Sequence, residues 1–236
     1  CFFIKERCYM SPFALERWQA FFADFGQFAK GFLYTLEISI GALLLAMLLG
    51  VVFGSLSATR NRVLRGISRV YVEVYQNTPL LIQFVVVYYG FPLLNKELVI
   101  SAFWTAIICV GLYHGAYIAE VIRSGIEGVP KGQTEAAESQ GFTYGDTMRL
   151  IILPQAIRMI YPPLTNQVVN LIKNTSTVAI ISGADLMFTA KSWSSMNVNY
   201  IPAFVGVGVL YFVLCFPLAT LARRMEEKNK NAYSVG

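Results

Sequence analysis

The sequence predicts an all-α integral membrane protein with five membrane-spanning helices in a single domain, residues 1–236. The first observation is composition, because 56% of the residues are hydrophobic and only 14% are charged, too apolar for an ordinary soluble fold. The second is a series of stretches almost without charge, each longer than the roughly 20 residues that a helix needs to cross a bilayer. These stretches are 38–59, 74–95, 98–119, 159–184 and 192–222. The third observation is where the arginines and lysines lie between them.

The basic residues predict the orientation of the spans. Those in the connections after spans one, three and five are Arg60, Arg62, Arg65, Arg69, Arg123, Lys131, Arg149, Arg158, Arg223, Arg224, Lys228 and Lys230. The connections on the opposite side hold only Lys96 and Lys191. Because cytoplasmic connections are enriched in lysine and arginine, we expect the N-terminus outside and the C-terminus in the cytoplasm.

Residues 1–30 are predicted to form an interfacial segment before span one, which is expected to begin near Gly31. Aromatic side chains recur there at helical spacing: Trp18, Phe21, Phe22, Phe25 and Phe28. Two interpretations stay open. A short helix can lie in the outer membrane interface with this stripe in the acyl boundary, or the stripe can pack on the protein's own spans.

The sequence offers few residues for catalysis or metal binding. Cys109 and Cys215 fall inside apolar segments, Cys1 and Cys8 lie near the start, and no CxxC pair or Cys/His cluster occurs. The sequence has a single histidine and neither a GxSxG nor an HExxH motif, so it lacks the residues that nucleophilic or zinc-dependent catalysis requires. We therefore expect no catalytic residue, no metal ligand and no cofactor. The basic runs lie beside apolar segments, so membrane lipids rather than nucleic acid are the expected partners.

The connection between spans three and four, residues 125–155, is predicted to form a rigid cytoplasmic hairpin of two short helices. Pro130 ends span three, and residues 133–140 are rich in helix formers. Gly141 stands where a helix C-terminus favours a residue with positive φ. Pro154 is expected to mark the turn into span four.

The second helix of this hairpin is expected to begin at Thr143, whose side chain can cap it, with Asp146 near the positive end of the helix dipole. On the first helix, Ala136 and Ala137 leave one side smooth enough for close docking, and Glu135 adds an acidic group at its edge. The alternative is that the hairpin merely covers the inner end of the helix bundle.

The hairpin sequence resembles the signature of binding-protein-dependent transporter permeases: EAA, three residues, G, nine residues, then I-x-L-P. The matching residues are Glu135, Ala136, Ala137, Gly141, Ile151, Leu153 and Pro154, without a gap. Neighbouring segments resemble the polar amino acid permeases in particular. They are NTPLLIQ at 77–83, GAYIAE at 115–120, RSGI at 123–126, KGQ at 131–133 and LPQA at 153–156. The departures, at Gln76, Ser124 and residues 174–177, leave the substrate's side chain open.

The resemblance implies a transport subunit rather than an enzyme, in the bacterial plasma (inner) membrane. Such a subunit pairs with a second permease subunit, identical or a sister chain, and with two cytoplasmic ABC ATPase subunits that bind ATP and magnesium. A solute-binding protein delivers the amino acid from outside. The chain itself has no GxxxxGK[ST] loop. The resemblance also implies that the hairpin couples to the ATPase, through Glu135, Ala136, Ala137, Gly141 and Pro154.

Polar side chains inside the predicted spans are the candidates for contact with the amino acid, because polar groups at membrane depth usually line a cavity or meet a partner. They are Gln83, His114, Tyr117, Glu120, Asn170, Lys173, Asn174 and Ser176. Lys173 and the amides can meet the carboxylate of the amino acid, and Glu120 can meet its ammonium. The alternative is that these polar faces hold the bundle and its subunit interface together. Lys173 suggests an acidic substrate and Glu120 a basic one, so the sequence leaves both open.

An ion-coupled secondary amino-acid transporter is the alternative function. It would explain the polar spans, but it gives the hairpin no purpose, and five spans lack the paired halves that such folds favour.

Overall fold

The structure is a computed structural model that describes residues 11, 13–59 and 61–233, with side chains as far as Glu227. Every regular element in that part of the chain is helical. The α-helices are α1 (Leu15–Ala23), α2 (Phe25–Ser57), α3 (Arg62–Gln76), α4 (Leu80–Val85), α5 (Phe91–Leu94), α6 (Ala102–Glu127), α7 (Lys131–Ser139), α8 (Tyr144–Asp146), α9 (Leu153–Asn174), α10 (Leu186–Asn197) and α11 (Tyr200–Tyr233). Two π-helical turns, Val86–Gly90 and Thr147–Ile152, and one 3₁₀ helix, Thr175–Ile181, complete the series.

Three of the described helices are long and apolar enough to cross a membrane: α2, α6 and the part of α11 from Tyr200 to Glu227. A fourth crossing is counted if the bent pair formed by α3 and residues 80–94 is one span. The all-α membrane fold is therefore confirmed. The predicted span 159–184 corresponds to α9 and the 3₁₀ helix, which carry Lys173 and several amides and do not meet the same test. The count of five spans stays a prediction.

The predicted span 74–95 is interrupted where α3 ends and α4 begins. Pro79 has no N–H to donate, and its ring disfavours helical geometry at Thr78. At the break, Thr78 Oγ1 donates to the Val74 oxygen at 2.7 Å. The Glu73 oxygen accepts from the Asn77 N–H at 3.1 Å and also from Asn77 Nδ2 at 2.8 Å. The interruption therefore has a local chemical cause, and it moves the helix boundary into the predicted span.

The predicted span 192–222 is likewise divided, because α10 ends at Asn197 and α11 begins at Tyr200. Val198 between them has φ of +49°, a left-handed conformation that ends a helix. Pro202 falls in the first turn of α11, where a missing N–H breaks no helical hydrogen bond.

The chain divides into two compact units, each assembled from three stretches of sequence. The first unit comprises residues 1–42, 80–110 and 171–216, and the second comprises 43–79, 111–170 and 217–236. The core of the first unit is aromatic and aliphatic: Phe21, Phe28, Leu186, Ala190, Trp193, Ala203 and Val207.

Helix α1 is fixed to this first-unit core by polar contacts as well. Trp193 Nε1 donates to Asp24 Oδ2 at 2.7 Å. Arg17 Nη1 donates to the Val198 oxygen at 3.1 Å, and Asn199 Nδ2 donates to the Arg17 oxygen at 2.9 Å. The N-terminal helix is therefore an integral part of the unit.

The aromatic stripe of residues 18–28 is split between the two interpretations that the sequence left open. Phe21 and Phe28 are buried, with ring centroids 6.1 Å and 5.6 Å from that of Trp193. Phe22 remains 65% exposed, and Phe25 is also exposed. Packing on the protein's own helices is thus confirmed for two members, and contact with the membrane interface stays a prediction for the exposed pair. Residues 1–10 of the predicted interfacial segment, with Cys1 and Cys8, lie outside the described residues, as does Arg60.

In the second unit, glycines let α2 and α6 approach closely. A Cβ placed on Gly50 would lie 2.3 Å from Ile118 Cγ2, and one on Gly54 would lie 2.8 Å from Ile122 Cβ. On α6, a Cβ on Gly111 would lie 2.7 Å from Leu45 Cδ2. Within a membrane the hydrophobic effect does not drive helices together. Small residues instead allow two helices to approach closely enough for van der Waals packing. The close α2–α6 pair forms the support on which α3 rests.

Candidate functional site

Helix α3 packs on α2 and α6 along one of its faces. Ser68 Oγ donates to the Phe53 oxygen at 2.7 Å, and Tyr71 Oη donates to the Leu112 oxygen at 2.7 Å. The ring of Tyr71 also stacks on that of Phe53, with centroids 4.0 Å apart. These contacts fix the rotation of α3 about its axis, and therefore the direction in which its other faces point.

The second face of α3 is apolar and exposed. Val63, Ile67, Val70 and Val74 follow at i, i+4, i+7 and i+11, and their side chains are between 50% and 70% exposed. Because all four are β-branched, this face is rigid as well as apolar.

The third face of α3 lines a pocket of about 450 Å³ within the second unit. Helix α2 contributes Ser57, and the end of α6 closes the far side. The lining residues are Ser57, Arg65, Ser68, Arg69, Val72, Glu73, Gln76, Asn77, Ala119, Glu120, Arg123 and Glu127. Three arginines and three glutamates among them give the pocket a polar, balanced wall.

The charges of the pocket are paired unevenly. On α6, Arg123 Nε donates to Glu120 Oε2 at 2.9 Å, and its guanidinium also forms an ion pair with Glu127. On α3, the Arg65 and Arg69 side chains form no ion pair with any side chain that the structure describes. The α6 wall therefore carries a surplus of carboxylate, and the α3 wall carries guanidinium groups open to a ligand.

Among the eight residues predicted to contact the amino acid, Glu120 lines this pocket. Three others belong to the same unit. His114 is 2% exposed and shares a hydrogen bond with Gln167. The hydroxyl of Tyr117 lies 3.2 Å from that of Tyr113, and Asn170 is exposed on α9.

The other four predicted contacts belong to the first unit. Gln83 is half-buried on α4, Lys173 is exposed near the end of α9, and Asn174 ends that helix. Ser176 Oγ donates to the Lys173 oxygen at 2.7 Å, so its hydroxyl is bound to the local backbone. The role of these four residues in binding stays a prediction.

Sequence reasoning missed Arg65, Arg69 and Glu73 as site residues, because the arginines of this connection were interpreted as orientation signals. The three positions follow at i, i+4 and i+8, which places them on one helix face. That periodicity was the available signal. This periodicity was not recognised because α3 begins at Arg62, well before the predicted span 74–95.

The hairpin has the predicted local chemistry. Gly141 has φ of +84° and follows α7, and Thr143 caps α8. The Thr143 hydroxyl oxygen accepts from the Asp146 N–H at 3.2 Å, and the hydroxyl donates to Asp146 Oδ2 at 2.6 Å. The glycine with positive φ and the threonine cap are therefore confirmed, but α8 is a single turn that leads directly into the π turn Thr147–Ile152 rather than a separate short helix.

The hairpin presents one part of the EAA sequence and buries another. Glu135 and Ala136 are exposed on α7, whereas Ala137 is 3% exposed. The Ala137 oxygen accepts from the Phe142 N–H at 3.1 Å, which closes the end of α7. Ala137 therefore packs α7 against the rest of its unit, whereas Glu135 and Ala136 face outward.

The base of the hairpin is an apolar cluster centred on Val129, Ile152 and Ala156. Gly125 lets α6 meet α9 beside this cluster, since a Cβ at that position would lie 2.3 Å from Ile160 Cγ1 and 3.4 Å from the Ala156 oxygen. The hairpin is thus fixed to both helices that enter and leave it.

The turn expected at Pro154 is wrong, because the π turn Thr147–Ile152 continues directly into α9. A proline inside a helix removes one i→i−4 hydrogen bond, and its ring clashes with the carbonyl four residues before. The wider i→i+5 register of the preceding π turn accommodates this defect. The chain therefore passes Pro154 as a helix.

Comparison with known proteins gives consistent results. Residues 50–231 match the family described as binding-protein-dependent transport system inner membrane component. The probable glutamine ABC transporter permease protein GlnM of Bacillus subtilis (strain 168) is 39% identical over 212 residues, 90% of this chain and 97% of that protein. The arginine transport system permease protein ArtQ of the same organism is 33% identical over 203 residues, 86% of this chain and 92% of that protein.

Solved structures agree with these relatives. A crystal structure of an amino acid ABC transporter with histidines has a TM-score of 0.83 and 30% identity, covering 89% of this chain and 98% of that one. An inward-facing structure of the MetNI methionine ABC transporter has a TM-score of 0.67 over 86% of this chain and 98% of that one, and at 17% identity it supports the fold alone. The hairpin, the membrane helices and the family match together show that this chain belongs to the binding-protein-dependent transport system inner membrane components.

Proposed function

We propose that this chain is the permease subunit of an ABC importer for a polar L-amino acid, driven by a separate ATPase and supplied by a solute-binding protein. The observation that carries the proposal is the hairpin, where the EAA sequence lies on a short capped helix with Glu135 and Ala136 exposed. An apolar cluster packs the base of the hairpin, at Val129 and Ile152, against α6 and α9. The amino-acid relatives support the class of substrate.

In this proposal the ATPase docks on the exposed side of α7. Ala136 lets the partner approach the helix backbone closely, and Glu135 offers a carboxylate to a basic group of the ATPase. Movement of the ATPase displaces the hairpin, and the cluster around Ile152 carries that displacement into the membrane helices. ATP and magnesium are bound by the partner.

Five spans with the N-terminus outside give this arrangement its orientation. α9 and the 3₁₀ helix run from Leu153 to Ile181. Their combined length exceeds the roughly 20 residues that a crossing needs, so they can form the remaining span. The hairpin then lies in the cytoplasm, where the ATPase is. A second permease subunit, identical or a sister chain, completes the importer in the bacterial inner membrane. An ion-coupled secondary transporter is not favoured, because the family is one of binding-protein-dependent systems.

The test is co-purification followed by transport. The chain is expressed with its ATPase and any second permease, reconstituted in liposomes, and assayed for ATP-driven amino-acid uptake with the solute-binding protein present. Glu135→Lys reverses the exposed charge, and Ala136→Trp fills the smooth surface. We expect both variants to reduce ATPase co-purification and uptake by about tenfold or more, since a buried interface position costs about 2 kcal/mol or more.

The matched control is Glu97→Lys, the same charge reversal at an exposed glutamate outside the hairpin. It should leave both measurements unchanged. Full ATPase binding and full uptake in both hairpin variants would contradict the proposed function.

A further inference from the structure

Helix α3 begins at the membrane boundary. Residues 38–59 carry no charge, and the membrane helix α2 ends within that stretch, at Ser57. The chain then reverses before Arg62, so the first turns of α3 lie beside the end of α2. The bond from Ser68 to the Phe53 oxygen keeps α3 against the last turns of α2. The beginning of α3 therefore lies at the depth of the lipid headgroups.

An arginine stripe runs along this first part of α3, at positions i, i+3 and i+7. It consists of Arg62, Arg65 and Arg69. All three are exposed, and none forms an ion pair with a side chain that the structure describes. The carboxylates nearby have other partners, because Arg123 binds those of α6 and Asn77 Nδ2 donates to Glu73 Oε2 at 3.2 Å. The stripe is therefore positively charged and open to an anion.

The exposed apolar face of α3 adjoins the arginine stripe, and Gly66 lies between them. Gly66 is four residues from Arg62 and three from Arg69, so it borders the stripe. On its other side it is three residues from Val63 and four from Val70, which belong to the apolar face. A Cβ at Gly66 would meet nothing within 4 Å. The helix surface is thus open from the apolar face to the guanidinium groups.

We propose that this surface of α3 binds an anionic phospholipid of the phosphatidylglycerol type, with its phosphate on the arginine stripe and an acyl chain along the apolar face. The inference goes beyond the proposed function, because this ligand is a component of the membrane and not the transported solute. A guanidinium binds a phosphate through two parallel hydrogen bonds. A soluble anion would leave the apolar face uncovered, and a lipid without net charge would leave the arginines without a counter-charge.

The binding surface is formed before the lipid arrives. The hydrogen bonds of Ser68 and Tyr71 to α2 and α6 fix the rotation of α3, so the stripe and the apolar face keep their directions. Binding then orders the arginine side chains and the lipid, and no helix has to move. We therefore expect one retained lipid at this place, which differs from the general attraction of a basic surface for an anionic membrane.

The experiment measures binding of phosphatidylglycerol and phosphatidylcholine, with the same fluorescent acyl chain, to the full chain purified in detergent with its co-purifying subunits. No nucleotide or amino acid is present, so the outcome does not depend on transport. Each arginine near an anionic headgroup contributes about fivefold in affinity, so phosphatidylglycerol should bind about tenfold or more tightly. Equal affinity for the two lipids would overturn the proposal. So would displacement of the lipid by glycerol 3-phosphate, because the site would then accept a soluble phosphate ester.

Variants then test the residues. Arg65→Gln together with Arg69→Gln should weaken phosphatidylglycerol binding about tenfold or more and leave phosphatidylcholine binding as it is, which loss of folding does not produce. Arg65→Lys together with Arg69→Lys keeps the charge and should keep the preference for phosphatidylglycerol. Gly66→Leu keeps all three arginines but closes the passage to them, so it should weaken phosphatidylglycerol binding severalfold. Unchanged affinity in the glutamine pair or in Gly66→Leu would overturn the assignment.

The matched control removes the same number of arginines from another helix. Arg223 and Arg224 are exposed on α11, just after its apolar stretch. Arg223→Gln together with Arg224→Gln should leave the affinity for phosphatidylglycerol unchanged. A loss as large as that of the α3 pair would show a general effect of surface charge, and the site on α3 would be refuted.

Discussion

The close approach of α6 and α9 at Gly125 makes a quantitative prediction. In Gly125→Ala the new Cβ would lie 2.3 Å from Ile160 Cγ1, whereas two carbon atoms in contact normally lie about 3.5–4.0 Å apart. More than an ångström of separation must therefore be opened between the two helices. Overpacking of this kind costs about 1–3 kcal/mol.

The assay is thermal unfolding of the purified protein in detergent. For a chain of this size, 1 kcal/mol corresponds to about 2–4 °C in Tm, so the variant should melt several degrees lower. Because the strained contact supports the apolar base of the hairpin, ATP-driven uptake in liposomes should fall as well. The matched control is Gly66→Ala on α3, where a Cβ meets nothing within 4 Å. It should be neutral, or more stable by about 0.5–1 kcal/mol.

A double-mutant cycle decides whether the reasoning is right. Ile160→Ala removes the atom that the new Cβ would meet. In that background the destabilisation caused by Gly125→Ala should therefore be smaller by about 1 kcal/mol or more. A Gly125→Ala protein with unchanged Tm would refute the packing argument. The packing argument would also be refuted if the losses of unfolding free energy caused by the two substitutions were additive, because the cost of Gly125→Ala would then arise somewhere other than at Ile160.

Three further predictions concern local structure. Gly141→Ala should cost about 1–2 kcal/mol in thermal unfolding because of its positive φ, and Gly141→Asn less; equal costs would contradict the conformational argument. Trp193→Phe keeps an aromatic ring, although a smaller one, and removes the donor to Asp24, so about 1–3 kcal/mol should be lost, and an unchanged Tm would contradict a stabilising role for that bond. Burial raises the pKa of Asp185, which precedes α10, from 3.8 to about 6. Its protonated form is therefore favoured in the folded protein, so the contribution of Asp185 to stability should be greatest below pH 4 and fall as the pH rises to about 6. Asp185→Asn, which retains an N-cap, should flatten that dependence in melts across pH, and an unchanged slope would assign it to another group.

The hairpin could be predicted from sequence because its determinants are local. A positive φ favours glycine, and a free N–H at a helix start favours a hydroxyl, whatever surrounds them. Gly141 and Thr143 therefore follow from residue type and position alone. The apolar stretches that become α2 and α6 were predictable for the same reason, since length and absence of charge suffice.

Other features depend on neighbours that a sequence does not display. Phe21 and Phe22 are adjacent and chemically identical, yet Trp193, more than 170 positions away, buries the first and leaves the second exposed. Pro154 predicts a turn unless the preceding residues form a π turn, and that turn has no clear sequence signature. The pocket was missed because Arg65 and Arg69 were assigned to a connection, where charges usually meet water.

The helical passage through Pro154 has a mechanical consequence. From Thr147 to Asn170 the second unit contains an uninterrupted rod of about 35 Å, at about 1.5 Å per residue. A flexible turn at its base would absorb a small push as local bending, whereas a rod converts the push into rotation of its whole length. Pro162 and Pro163 lie inside α9 and have no N–H to donate to the preceding turn, so bending under load should begin there. Stiffness at these two prolines therefore sets how much of any force on the hairpin reaches the far end of the rod.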